Sequence, residues 1–207
     1  MLEYTTIEGD FTAEYTEKHS RFIATAFFCD SEEMASEIIA AQKSKYWDAR
    51  HNVYAYILGN GTARFSDDGE PHGTAGMPVL DIVKGSGIVN VLVVVTRYFG
   101  GILLGTGGLV RAYSTSARDA LAGAQRVLMC ACTELKIDCD YTNYDRLIRL
   151  INDCNGMIQN TEFTDKVTVN VIFKNIERDA FVDKLCETFA SKLTAKIENE
   201  IFFPFKL

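Results

Sequence analysis

The run Val91–Val95, "VLVVV", constrains the fold more than any other part of the chain. A half-buried strand alternates apolar and polar side chains; this one is apolar on both faces, which predicts a central strand covered from two sides. Five glycines follow it (Gly100, Gly101, Gly105, Gly107 and Gly108), and a helix is predicted from Gly108 to about Ala124. A strand covered on both faces needs a layer on each side. The neighbouring segments alternate too freely between helix and strand for an all-β fold, so the class is α+β.

Before this run, "LEYTTIEG", "FTAEYTE" and "RFIATAFF" read as strands. "SEEMASEIIAAQKSKY" reads as a helix, with Ser31 as N-cap and two acids in its first turn. "NVYAYILG" and "TARFSD" form a strand pair joined through Gly59-Asn60-Gly61. A further helix is expected from Thr74 to Val83.

After it, "TELKIDCDY" alternates around Leu135, Ile137 and Cys139, and "NYDRLIRLINDC" carries Leu147, Ile148, Ile151 and Cys154 at helical spacing. "MIQNTEF" and "KVTVNVIFK" are strands joined by Thr164-Asp165. "ERDAFVDKLCETFA" is a helix and "KIENEIFFPF" a last strand. The order β-α-β-β-α-β is that of a ferredoxin-like unit. Two domains are therefore expected, 1–131 and 132–207, with the boundary near Met129–Thr133.

The net charge is −7; the chain up to Cys130 has 11 basic and 15 acidic residues, and the remainder 10 and 13. Neither part is basic, so any phosphate contact must be local. The six cysteines (Cys29, Cys130, Cys132, Cys139, Cys154 and Cys186) have no metal-ligand spacing, and read as reduced core thiols. The amino-terminal residues lack a signal-peptide pattern, and no segment reaches the ~20 apolar residues of a membrane span. A cytoplasmic protein is expected.

Three segments could carry chemistry. The glycine stretch is neither a Walker A loop, since no lysine follows the glycines, nor a dinucleotide fingerprint, since Val110 stands where the third glycine should be. Strand, glycine turn and helix start can still hold an anion on free backbone N–H groups. From Ile82 to Arg118 there is no acid, and the charged residues are Lys84, Arg97, Arg111 and Arg118. Two readings stand side by side: an anion site, or a tight packing corner whose arginines pair with distant acids. In the second segment, "RFSDDGEPHGTAGMP", Asp67, Asp68 and Glu70 offer oxygens for a cation, but an ordinary turn preceding a helix is the favoured reading, and no metal is expected. In the third, "ARHNVYAY", His51 is a candidate acid or base, more often a structural histidine at a strand start.

"HNVYAY", "SDDGEPHGTAGMPVL" and "NVLVVVTRYFGGILLGTGGLVRAYS" together resemble the IMPACT family, in particular its bacterial branch. The resemblance implies an N-terminal domain like the second domain of a small-subunit ribosomal protein and a late domain of translocating elongation factors. It also implies a ferredoxin-like C-terminal domain resembling another elongation-factor domain. Eukaryotic relatives are translational regulators with an extra N-terminal partner-binding domain, which this sequence does not contain, so that role is not expected to carry over intact. His72 stands where a small residue is expected in relatives.

The function expected first is a translation-associated binding or regulatory protein, docking on structured RNA, the ribosome or a translation-related protein. Lys84, Arg97, Arg111 and Arg118 would meet phosphates, and the glycines would allow close approach. The alternative is an enzyme whose small anionic substrate sits on the Gly100–Gly108 loop, with His51, Asp67, Asp68, Glu70 and His72 converging beside it. A third reading is a protein–protein regulator without site chemistry. No cofactor is expected, and the balance falls against an enzyme.

Overall fold

The computed structural model describes residues 3–207; Leu2, the start of the first predicted strand, lies outside them. The chain divides into two compact units, residues 4–128 with 206–207, and residues 129–205 with Glu3.

In the first unit β1 (Glu3–Glu8), β2 (Phe11–Glu17), β3 (Ser20–Phe28) and α1 (Glu32–Lys45) are followed by β4 (His51–Ile57), β5 (Ala63–Ser66), α2 (Gly76–Gly85), β6 (Val91–Tyr98) and α3 (Gly105–Gly123). The sheet order is β2-β3-β6-β4-β5, and every pairing is antiparallel. β6 is central, as its two apolar faces require. Val91, Val93 and Val95 join one core with Val79 and Val83 of α2 and with Tyr113, Ala117 and Leu121 of α3. Leu92 and Val94 join the opposite core, which includes Ala35 of α1. Ser31 caps α1 by accepting the Met34 N–H at 3.3 Å.

Several boundaries differ from the sequence reading: the strand expected from Thr133 starts at Gln125, and two helix starts have a visible cause. α3 begins at Gly105, three residues early; burial of Leu109, Ala112, Tyr113 and Ser116 on one face holds glycines that intrinsic propensity disfavours. α2 begins at Gly76 rather than Thr74, because the Asp67 carboxylate gathers the N–H groups of Gly73, Ala75 and Gly76 at 2.8–3.1 Å and fixes the start there.

The second unit runs β7 (Gln125–Cys139), α4 (Tyr141–Asp153), β8 (Met157–Phe163), β9 (Val167–Lys174), α5 (Asn175–Thr188) and β10 (Ala195–Lys206). β10 lies on β7, and β7 is followed by β9 and then β8, the strand order of a ferredoxin-like fold. Leu135, Ile137 and Cys139 of β7 and Val167, Val169, Val171 and Phe173 of β9 pack against Leu147, Ile151, Phe181 and Leu185 of the two helices. Strand alternation therefore turns Lys136, Asp138, Thr168 and Asn170 to the helix-free face. Of the six cysteines, Cys29, Cys130, Cys132 and Cys139 are buried. Burial pushes the Cys132 thiol up to about 11. No helix among the described residues is long and apolar enough to cross a membrane.

Candidate functional site

The three sequence motifs meet at the end of β6. Register explains part of this: His51 of β4 and Phe22 of β3 both lie opposite Arg97. Arg97 is not on the surface. It is 6% exposed, and its Nη1 donates to Glu70 Oε1 at 2.6 Å. Its guanidinium carbon lies 5.5 Å from the Phe22 ring centre and 5.7 Å from that of Phe99. The Tyr113 hydroxyl donates to the same Glu70 oxygen at 2.8 Å. Burial first, and the Glu70 charge next, push the Tyr113 phenol far above its ordinary range, so it stays a neutral donor. The expectation that Arg97 meets a phosphate is thus corrected: its charge is spent inside the protein. The Arg97 Nε is buried without a hydrogen-bond partner among the described residues.

The acidic loop is organised just as tightly. Burial opposes ionisation of Asp67, but the three backbone N–H donors from Gly73, Gly76 and Ala75 outweigh it and hold its carboxyl below the usual range. Asp68 accepts the Asn52 N–H at 2.7 Å and pairs with Lys43 at 2.6 Å. The Asp68 carbonyl, which can only accept, lies 2.8 Å from His51 Nδ1, so that nitrogen carries the proton. His51 Nε2 then faces Glu70 at 3.9 Å. His72 stays outside this cluster: its side chain is 99% exposed, 3.6 Å from Asp67.

His51, Asp68 and Glu70 therefore do converge, beside Arg97, while Asp67 is consumed in starting α2 and His72 faces solvent. Every carboxylate of the loop already has a partner. No group of three or more His, Cys, Asp or Glu among the described residues could hold a metal. The cluster ties β3, β4, β6, α3 and the loop together; it is a clamp on the corner.

The glycines divide by role. Gly100 lies flat against the turn between β2 and β3, where a Cβ would overlap the His19 carbonyl and the Ser20 nitrogen. Its N–H donates to Ser20 Oγ at 3.2 Å. Gly101 (φ +85°) and Gly105 (φ +70°) supply left-handed backbone on either side of Leu103. Gly107 faces open space, and Gly108 packs near Leu104.

What the corner shows to solvent is apolar and basic. Phe99 and Ile102 are about half exposed and Leu103 is 83% exposed. α3 starts with no side-chain cap and no acid in its first turn. Beside it, Lys18, Arg111, Tyr15, Glu17 and Gly108 line a cavity of about 370 Å³. Neither Lys18 nor Arg111 has a carboxylate partner among the described residues. Arg118 lies in a separate 270 Å³ groove with Arg126 and Asp81, and Lys84 is exposed near the end of α2. The four predicted cations therefore do not form one patch. Lys18 was missed because a hairpin turn, distant in sequence, brings it to Arg111. Tyr113 was legible in principle: helical spacing from Leu109 puts it on the buried face of α3.

Comparison with known proteins follows the same two units. The family model described as Impact N-terminal domain matches residues 18–121, and one described as a domain of unknown function (DUF1949) matches residues 137–192. The chain is 36% identical to IMPACT family member YigZ of Escherichia coli (strain K12), over 82% of this chain and 85% of that protein. It is 31% identical to IMPACT family member YvyE of Bacillus subtilis (strain 168), over 98% and 94%. A solved crystal structure of a hypothetical protein, 33% identical, superposes with a TM-score of 0.63 and covers 97% of this chain and 100% of its own. With its motif residues assembled into one corner and both units matched, the chain belongs to the IMPACT family.

Proposed function

We propose that this protein is a translation-associated docking protein that meets structured RNA, in the ribosome or bound to a translation factor, through the corner between β6 and α3. The observation that carries the reading is the pairing of two uncommitted cations, Lys18 and Arg111, in one cavity beside the uncapped start of α3. Phosphate is the group such a cavity suits, since cations and free helix N–H groups both favour negative charge. Phe99, Ile102 and Leu103 add an exposed apolar rim that a folded RNA or its bound protein would cover. The family's link to translation and the expectation of a cytoplasmic protein agree with this reading.

The alternative, an enzyme acting on a small anion at the same loop, needs an acid or base free to move a proton. Asp67, Asp68 and Glu70 are each held by partners of their own. The test is co-sedimentation of the full chain with purified ribosomes, together with anisotropy on an RNA hairpin at low salt. Lys18→Ala with Arg111→Ala should weaken both about tenfold or more and flatten the salt dependence. Binding that survives this double substitution unchanged refutes the corner as the docking face.

A further inference from the structure

The second unit is acidic, yet its lysines are unevenly placed. Residues 129–205 hold nine basic side chains against thirteen acidic ones, a net of −4. Of the six lysines, four (Lys136, Lys166, Lys192 and Lys196) line a single cavity of about 420 Å³. They arrive from four places: β7, the turn before β9, the connection after α5, and β10. The two remaining lining residues are Asp138 and Thr194.

This convergence is costly without a counter-charge, because like charges sharing one cavity repel. The offset inside the unit is partial: Asp138 brings one carboxylate into the cavity. Lys196 pairs with Glu198 at 2.9 Å, but Lys136, Lys166 and Lys192 form no ion pair among the described residues. Asp138 accepts the Thr168 hydroxyl at 2.7 Å. The connection that brings Lys192 in is also fixed: Ala190 and Ser191 both adopt left-handed backbone (φ +50° and +58°), and the Ser191 N–H closes the end of α5 on the Cys186 carbonyl at 2.9 Å.

We infer that this cavity is a binding site for a run of consecutive phosphates. Lysine ammoniums act on phosphate as point charges and accept it from many directions. No aromatic or apolar side chain lines the cavity, so nothing there stacks a base or seats a peptide side chain. Its volume is more than one phosphate needs. The ligand is recognised by its charge spacing alone. Either an RNA backbone or a soluble oligophosphate chain supplies that chemistry. The site uses none of the corner's residues and stands without it.

The test uses the full chain, with tripolyphosphate followed by calorimetry and a labelled single-stranded oligoribonucleotide followed by anisotropy, both at about 50 mM salt. Lys166→Gln with Lys192→Gln should weaken each probe that binds at least tenfold. For RNA it should reduce the slope of log affinity against log salt by about 1.4, some 0.7 per contact. Both side chains are exposed, and circular dichroism is the check that the variant folds. Lys184→Gln with Arg149→Gln, exposed and outside the cavity, makes the same charge change and should leave binding in place. Loss confined to RNA identifies the backbone as the ligand, and loss confined to tripolyphosphate identifies a soluble chain. The corner variant, Lys18→Ala with Arg111→Ala, should keep the tripolyphosphate binding that Lys166→Gln with Lys192→Gln removes, which distinguishes this site from the docking face. The inference is overturned if neither probe binds, if the cavity variant binds like the wild type, or if the control weakens as much as the cavity variant.

Discussion

The Arg97–Glu70 pair decides how a loss of function at Arg97 must be interpreted. Nitrogen and oxygen are 2.6 Å apart, and the two side chains are 7% and 4% exposed. Removing one member of such a pair leaves the other charge buried and uncompensated, at about 3–5 kcal/mol. Arg97→Met keeps a long stem between Phe22 and Phe99 and removes only the charge and its hydrogen bonds. Glu70→Leu strands the guanidinium and also orphans the Tyr113 hydroxyl, adding about 1 kcal/mol. With a urea slope of about 2 kcal/mol per molar, each single substitution should lower the midpoint of the first unit by about 2 M. The double substitution removes both charges and orphans only the Tyr113 hydroxyl, so it should cost less than either single one. The assay is urea unfolding followed by far-UV circular dichroism, fitted with one transition per unit. Trp47 is 83% exposed and reports poorly by fluorescence. Single costs that add in the double variant, within the ~0.5 kcal/mol expected of independent sites, would refute the clamp. So would an Arg97→Met variant that loses RNA binding with its midpoint unmoved, since Arg97 would then be a phosphate contact.

Two further outcomes are expected in the same unit. Gly100→Ala should destabilise it by about 2–4 kcal/mol, because the new Cβ has only backbone to displace and the Ser20 bond is lost; Gly101→Ala, strained but facing open space, should cost only about 1–2, and equal melting shifts for the two would contradict the packing account. Asp67→Asn should cost about 1–2 kcal/mol at pH 7. The folded state holds the Asp67 carboxyl low, so its contribution is present above the ordinary aspartate range and fades as pH falls below it. The gap between wild type and Asp67→Asn in urea midpoint should therefore be widest near pH 7 and close below about pH 4; a gap independent of pH would rule this out.

Local pattern made most of the architecture legible. Two apolar faces on Val91–Val95 leave a strand nowhere to go but the middle of a sheet, and it lies there between two cores. Alternation and helical spacing after Thr133 likewise led to the ferredoxin-like order, because each signal is carried within a dozen residues. The motif "SDDGEPHGTAGMP" was readable as a loop ahead of a helix, and Asp67 does start α2.

The roles of the charged residues belonged to the tertiary structure. Arg97 and Glu70 are 27 residues apart, and nothing in either neighbourhood says that strand pairing and the loop will press them together. The acid-free stretch left an anion site and a packing corner equally open, because an arginine's charge is neutralised by whatever faces it in space. Arg97 met a carboxylate, while Arg111 met Lys18 across a cavity. The lysines of the second unit are scattered over some sixty residues of an acidic segment and carry no local signal at all. Strand pairing and the closure of α5 bring them together. Composition and periodicity fix which residues must be buried, because burial follows from local patterning; charge partners are set only when distant segments come within a few ångströms, because electrostatic energy depends on distance through space.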